Sequence, residues 1–563
     1  MRRIFKNANI VDVFTSSIIK KDILVIDNEI RGLRDNINDE DAIVIDCQNK
    51  YISPSFIDSH MHIESTMLLP HEFAKIAVIH GTGATVLDPH EIANVCGIEG
   101  ISFLIKASKN LPMSFYFTAP SCVPATKFDE SYSTIDSDKT ISILERNEVL
   151  GLAEMMNYVG VINNDKDVLN KISNAKKLNK VIDGHAPLLT GHDLDEYIGK
   201  GIDSDHECSN INEALEKASK GQWIMIREGT ASKNLEALAD LFDSDVSHRC
   251  LLVTDDIEPS YLISKGHIDT IIRKAIDLGK NPIAAIRMAT IQAANRFNLK
   301  NVGAIAPGYK ANFVIMNDLN KIDITDVYYN GEHIVKDKTL IKKVISNISP
   351  DDFSVVKNSI NIPNITKESF YIKPKGNKCN VIGIIPKELL TKHLILDLDF
   401  TKNNGVDVSR DILKIAVIER HHNLGHISLG FVQGIGLKSG AIASTVSHDS
   451  HNVIVIGTND LDMAIAVNEI KRIGGGNVYI KDSSVVSELA LPIAGLMSES
   501  DAYSVSENCK NVRESVMKNS ANNNIAPFMN MAFLSLPVIP SLKITTKGLI
   551  DVNKFEQIDL FVK

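Results

Sequence analysis

The sequence predicts an α/β protein whose central part is a (β/α)8 barrel. Eight apolar runs occur between residue 51 and about residue 300, and the segments between them are long enough to hold helices. Strands that alternate with helices form a parallel sheet, and eight repeats in about 200 residues favour closure into a TIM-like barrel. The runs occupy 51–57, 84–87, 114–118, 149–153, 180–182, 201–202, 223–226 and 251–254, and the sixth is the shortest.

Short strands flank the predicted barrel on both sides. Residues 1–50 hold strand-like runs at 9–13, 23–26 and 43–47, separated by turn residues, and are too few to enclose a core alone. Residues 301–345 return to short strands around a Pro-Gly turn at Pro307 and Gly308. We therefore expect 1–50 and 301–345 to pair in one composite β-sandwich beside barrel residues 51–300.

Residues 346–563 predict an additional C-terminal α/β domain. Strand-like runs at 381–385, 412–418, 453–456 and 478–480 alternate with helical stretches such as 460–471. This segment carries two strings that are dense in His and Asp, and their histidines are His421, His422, His448 and His451. We expect a polar interface against the barrel mouth or a second subunit; the alternatives are a lid over the substrate or an additional metal site.

Composition indicates a cytoplasmic protein that binds neither nucleic acid nor membrane. The net charge is -10 and the pI is near 6.0, whereas phosphate binding requires clustered Lys and Arg. No apolar run approaches the ~18 residues that span a bilayer, and the N-terminus lacks the apolar region of a signal peptide. The seven cysteines are scattered without a C-x-x-C pair, which is typical of reduced thiols.

Ionisable side chains follow the predicted barrel strands where each strand ends. After the first run come His60 and His62, whose i and i+2 spacing directs both imidazoles to one face of a strand. Later runs are followed by Asp88, His90 and Glu91, by Glu154, by Asp183 and His185, by Asp205, His206 and Glu207, by Arg227 and Glu228, and by Asp255 and Asp256. Barrel active sites lie at the C-terminal ends of the strands, so this pattern predicts a metal-dependent active site there.

The strings around these residues resemble those of the bacterial adenine deaminase family, within the amidohydrolase superfamily. They are PSFIDSHMHIES at 54–65, DPHEIAN at 88–94, GLAEMMN at 151–157, DGHAP at 183–187, SDHE at 204–207 and TDD at 254–256. The resemblance extends over nearly the whole chain. Two positions depart from the family pattern: Ser55 replaces a common glycine, and Ile257 and Glu258 replace a more basic pair.

The resemblance implies a site for two divalent transition-metal ions. The implied ligands are His60, His62, Glu154, His185, His206 and Asp255. Many two-metal amidohydrolases use a carbamylated lysine on the fourth strand as the bridging anion, and here Glu154 takes that place. The family suggests Mn or Fe, while nitrogen and oxygen ligands also suit Zn.

The implied reaction is hydrolytic deamination of adenine to hypoxanthine and ammonia, as in purine salvage, with adenine and water as the small-molecule partners. Asp255 is expected to carry the proton from water to the leaving amine. Candidates for holding the purine ring are Glu64, His90, Glu91 and Glu207. Arg227 is expected either to orient one of these carboxylates or to pair with Glu228. A homo-oligomer is expected, with a dimer favoured.

Two alternatives stay open. One is a cyclic amidohydrolase of the dihydroorotase or hydantoinase type, which the absent barrel lysine and the extra C-terminal domain disfavour. The other is a non-catalytic relative that uses the fold for binding, which the complete ligand set disfavours. The H-x-E at His62 and Glu64 also occurs in zinc-dependent cytidine deaminases, but the P-C-x-x-C half of that signature is missing.

Overall fold

The computed structural model describes residues 1–230, 232–386, 388–522 and 524–562. Strands before and within the barrel are β1 (Arg2–Lys6), β2 (Asn9–Asp12), β3 (Ser17–Lys20), β4 (Asp22–Ile26), β5 (Glu29–Arg34), β6 (Ile43–Asp46), β7 (Tyr51–Pro54), β8 (Phe56–Met61), β9 (Thr82–Leu87), β10 (Ser114–Ala119), β11 (Val149–Met155), β12 (Val181–Gly184), β13 (Ser204–Asp205), β14 (Trp223–Arg227) and β15 (Cys250–Val253).

Later strands are β16 (Phe313–Met316), β17 (Ile324–Tyr329), β18 (Glu332–Lys336), β19 (Thr339–Leu340), β20 (Lys378–Ile384), β21 (Thr391–Asp397), β22 (Ile412–Ile418), β23 (Ile427–Gln433), β24 (Ala441–Ser444), β25 (Val453–Gly457), β26 (Gly476–Lys481), β27 (Ser484–Ala490), β28 (Leu542–Thr545), β29 (Gly548–Asp551) and β30 (Glu556–Ile558). Helices are α1 (Pro70–Ala77), α2 (His90–Ala107), α3 (Ser137–Leu144), α4 (Tyr158–Ile162), α5 (Lys166–Lys177), α6 (Gly191–Gly199), α7 (Ile211–Ser219), α8 (Leu235–Leu238), α9 (Pro259–Ser264), α10 (Ile268–Asp277), α11 (Pro282–Met288), α12 (Ile291–Arg296), α13 (Asp460–Ile473), α14 (Ala502–Lys518) and α15 (Pro527–Ala532).

The strands β8 to β15 form the barrel. Strands β8 to β12 pair in parallel in chain order, and β13 to β15 do the same. The two groups meet where the N–H of Asp203 donates to the carbonyl of Ile182 at 3.2 Å, and where Met61 and Asp255 form a parallel bridge. These pairings confirm the predicted TIM-like barrel of parallel strands.

Two of the predicted barrel strands were placed wrongly. The run at 51–57 is two strands. Pro54 has no backbone N–H to donate, and β7 ends there in the flanking sheet, whereas β8 begins at Phe56 in the barrel. His60 therefore lies inside β8 rather than beyond it. The sixth strand is β13 instead of 201–202, because Gly201 has a φ of +103°, outside the β region.

The composite β-sandwich contains strands from both sides of the barrel. One sheet has the order β5-β4-β1-β6, and the other has the order β19-β18-β17-β16-β7-β2-β3. Strand β7 pairs with β2 on one side and with β16 on the other, and this joins the early and late segments. Phe5, Ile52, Phe313 and Tyr328 fill the core between the sheets. The exact boundaries of the three units stay a prediction.

The C-terminal part is an α/β unit around a sheet of order β21-β20-β23-β22-β25-β24-β26-β27. Its strands pair antiparallel except for β20 with β23, and α13 buries Met463, Val467 and Ile470 against one face. A small sheet, β28 to β30, packs Ile544 and Leu549 against the other face. This architecture confirms the predicted additional α/β domain. Its sheet is mostly antiparallel, whereas the predicted alternation of strands and helices suggested parallel pairing.

One apolar core continues from the barrel into the C-terminal unit. Leu491, Ile493 and Met497 belong to the same buried cluster as Leu68 and Phe73 of the barrel. This shared core holds the C-terminal unit against the barrel mouth. Among the described residues, none of the helices combines the length and apolar composition that a bilayer span requires.

Candidate metal centre and active site

The six predicted ligands lie together in one cluster at the C-terminal mouth of the barrel. Each follows or ends a different strand, except that His60 and His62 both come from the end of β8. His60, His62, Glu154, His206 and Asp255 are buried, with 2–5% of their surface exposed, and His185 is half-buried. Parallel strands bring residues far apart in sequence to one point because all their C-terminal ends face the same side.

Glu154 lies at the centre of this cluster. Its Oε1 is 3.4 Å from His62 Nε2, while its Oε2 is 2.6 Å from His185 Nδ1 and 3.2 Å from His206 Nε2. Burial alone would raise the pKa of Glu154, but His206 and His185 hold it well below its usual range. A carboxylate whose two oxygens face different imidazoles has the arrangement of a bridging ligand.

Asp255 divides its two oxygens between different partners. Oδ1 is 3.2 Å from His62 Nε2 and 3.8 Å from His60 Nε2, whereas Oδ2 accepts a hydrogen bond from Arg227 Nη1 at 2.6 Å. Burial opposes ionisation of Asp255, yet Arg227 keeps its pKa well below the usual range. One oxygen is thus available to the histidine cluster while the other is held by a guanidinium.

The donor set fits divalent transition metals. Among the described residues, His60 Nε2 is buried without a hydrogen-bond partner, as a nitrogen directed at a cation would be. His62 Nδ1 contacts the carbonyl oxygen of Asp88 at 3.1 Å, so its Nε2 lone pair can face the cluster. Burial and the neighbouring imidazole of His206 lower the pKa of His60, which keeps it neutral as a ligand must be.

Two of the predicted catalytic residues border this cluster directly. Glu207 Oε2 accepts a hydrogen bond from Arg227 Nη2 at 2.9 Å, and Glu207 Oε1 lies 3.4 Å from His206 Nε2. His90 Nδ1 is 3.1 Å from Asp88 Oδ2 and 3.6 Å from Glu154 Oε1. Of the two alternatives expected for Arg227, the structure agrees with the first, because Arg227 contacts the carboxylates of Glu207 and Asp255 instead of pairing with Glu228.

The other two predicted catalytic residues, Glu64 and Glu91, form a neighbouring buried group. Glu64 Oε1 accepts from the N–H of Ile92 at 3.1 Å, and burial together with Glu91 raises the pKa of Glu64 to about 8. Glu91 Oε1 is 3.0 Å from Nδ1 of His448, a residue of the C-terminal unit. Burial beside Glu91 thus favours the neutral form of Glu64.

A cavity of about 840 Å³ opens between the barrel mouth and the C-terminal unit. Barrel residues Ser65 and Asp256 line it on one side, and His448 and Phe533 line it on the other. Strand alternation does not set the direction of Asp256, because the preceding residue, Asp255, lies beyond β15 with a φ of +60°. Asp256 instead accepts a hydrogen bond from Ser65 at the edge of the cavity.

The two His-rich strings of the C-terminal unit have different positions. The segment 447–452 reaches the barrel mouth, where His448 contacts Glu91 and Asp449 Oδ1 lies 3.9 Å from His90 Nε2. His421 instead bonds the carbonyl of Ser450, and exposed His422 stacks on Tyr132. The density of His and Asp at 447–452 marked this segment as a candidate site, but nothing in the sequence indicated that Asp449 approaches His90.

Comparisons with known proteins relate the chain to two family models and to relatives of similar length. Residues 51–345 match the Amidohydrolase family, and residues 388–556 match the Adenine deaminase C-terminal domain. An adenine deaminase of Clostridium acetobutylicum is 42% identical over 98% of this chain and 96% of its own length. One of Thermosipho africanus is 43% identical over 100% of this chain and 97% of its own. A solved dihydropyrimidinase of Brevibacillus agri is 14% identical, with a TM-score of 0.49, over 61% of this chain and 97% of its own.

The barrel match defines the class of the protein as an amidohydrolase. With the C-terminal match and the full-length relatives, the chain belongs to the adenine deaminase family within that class.

Proposed function

We propose that the protein hydrolyses adenine to hypoxanthine and ammonia, a step of purine salvage. It is a hydrolase that acts on a C–N bond of a cyclic amidine. The observation that supports this most strongly is the position of Glu154, a carboxylate between four imidazoles where many related hydrolases use a modified lysine. The full-length adenine deaminase relatives support the same substrate.

The proposed metal site holds two divalent ions in the ligand set predicted above. Mn or Fe is proposed as the native metal, and Zn also suits nitrogen and oxygen donors. When bound, two such ions lower the pKa of a water molecule and so supply a nucleophile at neutral pH. Asp88 would orient His62 through its carbonyl oxygen, and the unpartnered His60 Nε2 would complete the site.

The chain's own residues then handle protons. Asp255, ionised beside Arg227, takes the proton of the attacking water and passes it to the amine that leaves C6 of adenine. The C6–N bond breaks, ammonia departs, and the ring keeps the new oxygen as hypoxanthine. Arg227 fixes both Asp255 and Glu207, so these carboxylates keep one geometry throughout.

The test is a substrate comparison on enzyme reconstituted with Mn²⁺. Adenine should yield hypoxanthine and ammonia in equal amounts, whereas dihydroorotate and hydantoin should be stable. Hydrolysis of either cyclic amide without action on adenine would contradict the proposal and favour the cyclic amidohydrolase alternative. Turnover of none of the three by fully metallated enzyme would favour a non-catalytic binding protein.

We also propose a homodimer in the cytoplasm. Strand β27 is an edge of the C-terminal sheet and exposes Val485 and Val486, which an edge-to-edge contact would cover. All seven cysteines are free thiols, which suits a reducing compartment. Light scattering of the wild type and of Val486→Lys tests the dimer, since the lysine should shift the mass toward one chain.

A further inference from the structure

A second group of buried ionisable side chains lies beside the predicted metal ligands. Glu91 comes from α2, while His448 and His451 come from the C-terminal segment between β24 and β25. His448 Nδ1 is 3.0 Å from Glu91 Oε1, and His451 Nε2 is 4.0 Å from Glu91 Oε2. The exposed fractions of Glu91, His448 and His451 are 1%, 8% and 0%. The two units of the chain therefore share one polar cluster at the barrel mouth.

A backbone hydrogen bond sets the tautomer of His451 and so bears on whether this cluster could bind a metal. His451 Nδ1 accepts the backbone N–H of Ser447 at 3.2 Å, which assigns the proton of the neutral imidazole to Nε2. His451 Nε2 therefore carries an N–H rather than a lone pair on the side of Glu91. A metal ligand needs that lone pair, so His451 is not arranged as a ligand, and Glu91 instead forms an ion pair with His448.

His448 is the member of the cluster that faces the cavity. Its ring stacks on Phe533 with centroids 4.4 Å apart and planes 15° apart, which fixes its orientation. Since Nδ1 is directed at Glu91, Nε2 is the polar atom that the ring can present to the cavity it lines. Burial would lower the pKa of His448, but Glu91 raises it to about 9, so both ring nitrogens carry protons at pH 7.

We propose that His448 binds the substrate by donating its Nε2–H to a ring nitrogen of the purine, and that Glu91 and His451 position it. This inference rests on the proposed function and extends it, because it makes the C-terminal unit part of the adenine site. Attack of water on C6 moves electrons onto the ring nitrogens. A cationic donor fixed at one of them stabilises the transition state more than the ground state.

The principal variant is His448→Asn, whose amide can keep the bond to Glu91 at the Nδ1 position but cannot reach into the cavity. Loss of one preorganised donor should lower kcat/KM for adenine ~10²–10³-fold. The metal content should match that of the wild type. His448→Gln, whose amide reaches the Nε2 position, should retain more activity than His448→Asn. The matched control is His422→Asn, an exposed histidine of the same unit, which should leave kcat/KM unchanged.

A binding measurement locates the contact independently of turnover. Inhibition constants of 1-deaza-, 3-deaza- and 7-deazaadenine should be compared between the wild type and His448→Asn. The analogue that lacks the contacted nitrogen should bind both proteins equally, whereas the other two should bind the variant more weakly. Equal weakening of all three analogues would overturn the inference.

The remaining outcomes test the inference and the proposed function separately. A value of kcat/KM in His448→Asn equal to that of His422→Asn would overturn the inference, as would a fall in metal content parallel to the fall in activity. An active wild type with an unaffected His448→Asn variant would leave the proposed function standing. A fully metallated wild type that releases no ammonia from adenine would refute both.

Discussion

Asp255→Asn separates the two tasks proposed for this carboxylate, metal binding and proton transfer. Oδ1 faces His62 and His60, and Oδ2 accepts from Arg227 at 2.6 Å. Asparagine keeps the size and one oxygen, but its NH2 group must face either the guanidinium or the imidazoles. Each choice places a donor where an acceptor is needed. The variant therefore removes the anionic base and also introduces one mismatched polar contact in a buried site.

The expected loss of activity follows from these contacts. General-base proton transfer is worth ~10²–10⁴-fold, or about 2.7–5.4 kcal/mol at 1.36 kcal/mol per factor of ten. A buried polar group without its partner costs a further ~1–3 kcal/mol, which should appear as reduced stability or weaker metal binding. We expect kcat to fall by at least ~10²-fold, which is the smallest loss in the range for general-base catalysis.

The assay is steady-state ammonia release combined with elemental analysis of the same preparation. The matched control is Asp203→Asn. Asp203 and Asp183 both form ion pairs with Arg296, as Asp255 and Glu207 do with Arg227, but Asp203 is not one of the predicted ligands. The control should lose one partner of a buried arginine and keep its kcat. Near-normal kcat in Asp255→Asn with both metals bound would refute the role of Asp255, and equal losses in both variants would assign the effect to stability.

Three further predictions concern metal and pH. Glu154→Ala should reduce the metal content of purified protein from about two ions per chain to one or none, because the carboxylate that faces both halves of the site is lost. Chelation should abolish activity, which should return only at about two ions per chain; full activity with one bound ion would contradict the bridged pair. Burial lowers the pKa of Lys543 to about 7, whereas its pKa in the unfolded chain is ~10.4. Between these two pH values the unfolded chain binds more protons than the folded one. The free energy of unfolding should therefore rise with pH by up to ~1.4 kcal/mol per pH unit. The Tm of the wild type relative to Lys543→Met should rise from pH 7 to pH 10, and parallel profiles would contradict this.

The predicted ligand residues converge because their positions follow from local rules. The alternation of side chains along β8 places His60 and His62 on one face, and the parallel order of the barrel strands brings Glu154, His206 and Asp255 to the same end. Both rules depend only on the strand pattern in the sequence. Errors of a few residues at strand ends, as in the sixth strand, did not disturb the convergence because each ligand lies at or just beyond the C-terminal end of its strand.

Local rules could not choose between the two alternatives for Arg227 or give the direction of Asp256. Arg227 is adjacent to Glu228 in sequence, yet it pairs with Glu207 and Asp255 across the barrel mouth. Asp256 follows a residue with positive φ, so strand alternation no longer describes its direction. Ion pairs between loops depend on backbone turns and side-chain rotamers that no local pattern encodes.

The sequence by itself determined the fold class, the barrel with its flanking sandwich, and the residue types of the proposed metal site, because periodicity and strand-end chemistry are local properties of the chain. Only the tertiary structure decided that His448 crosses from the C-terminal unit to Glu91, more than 350 residues away in sequence. That contact depends on how two separately formed units pack through a shared apolar core. The physical reason is that the packing of distant surfaces is a sum over many weak contacts, which no short stretch of sequence contains.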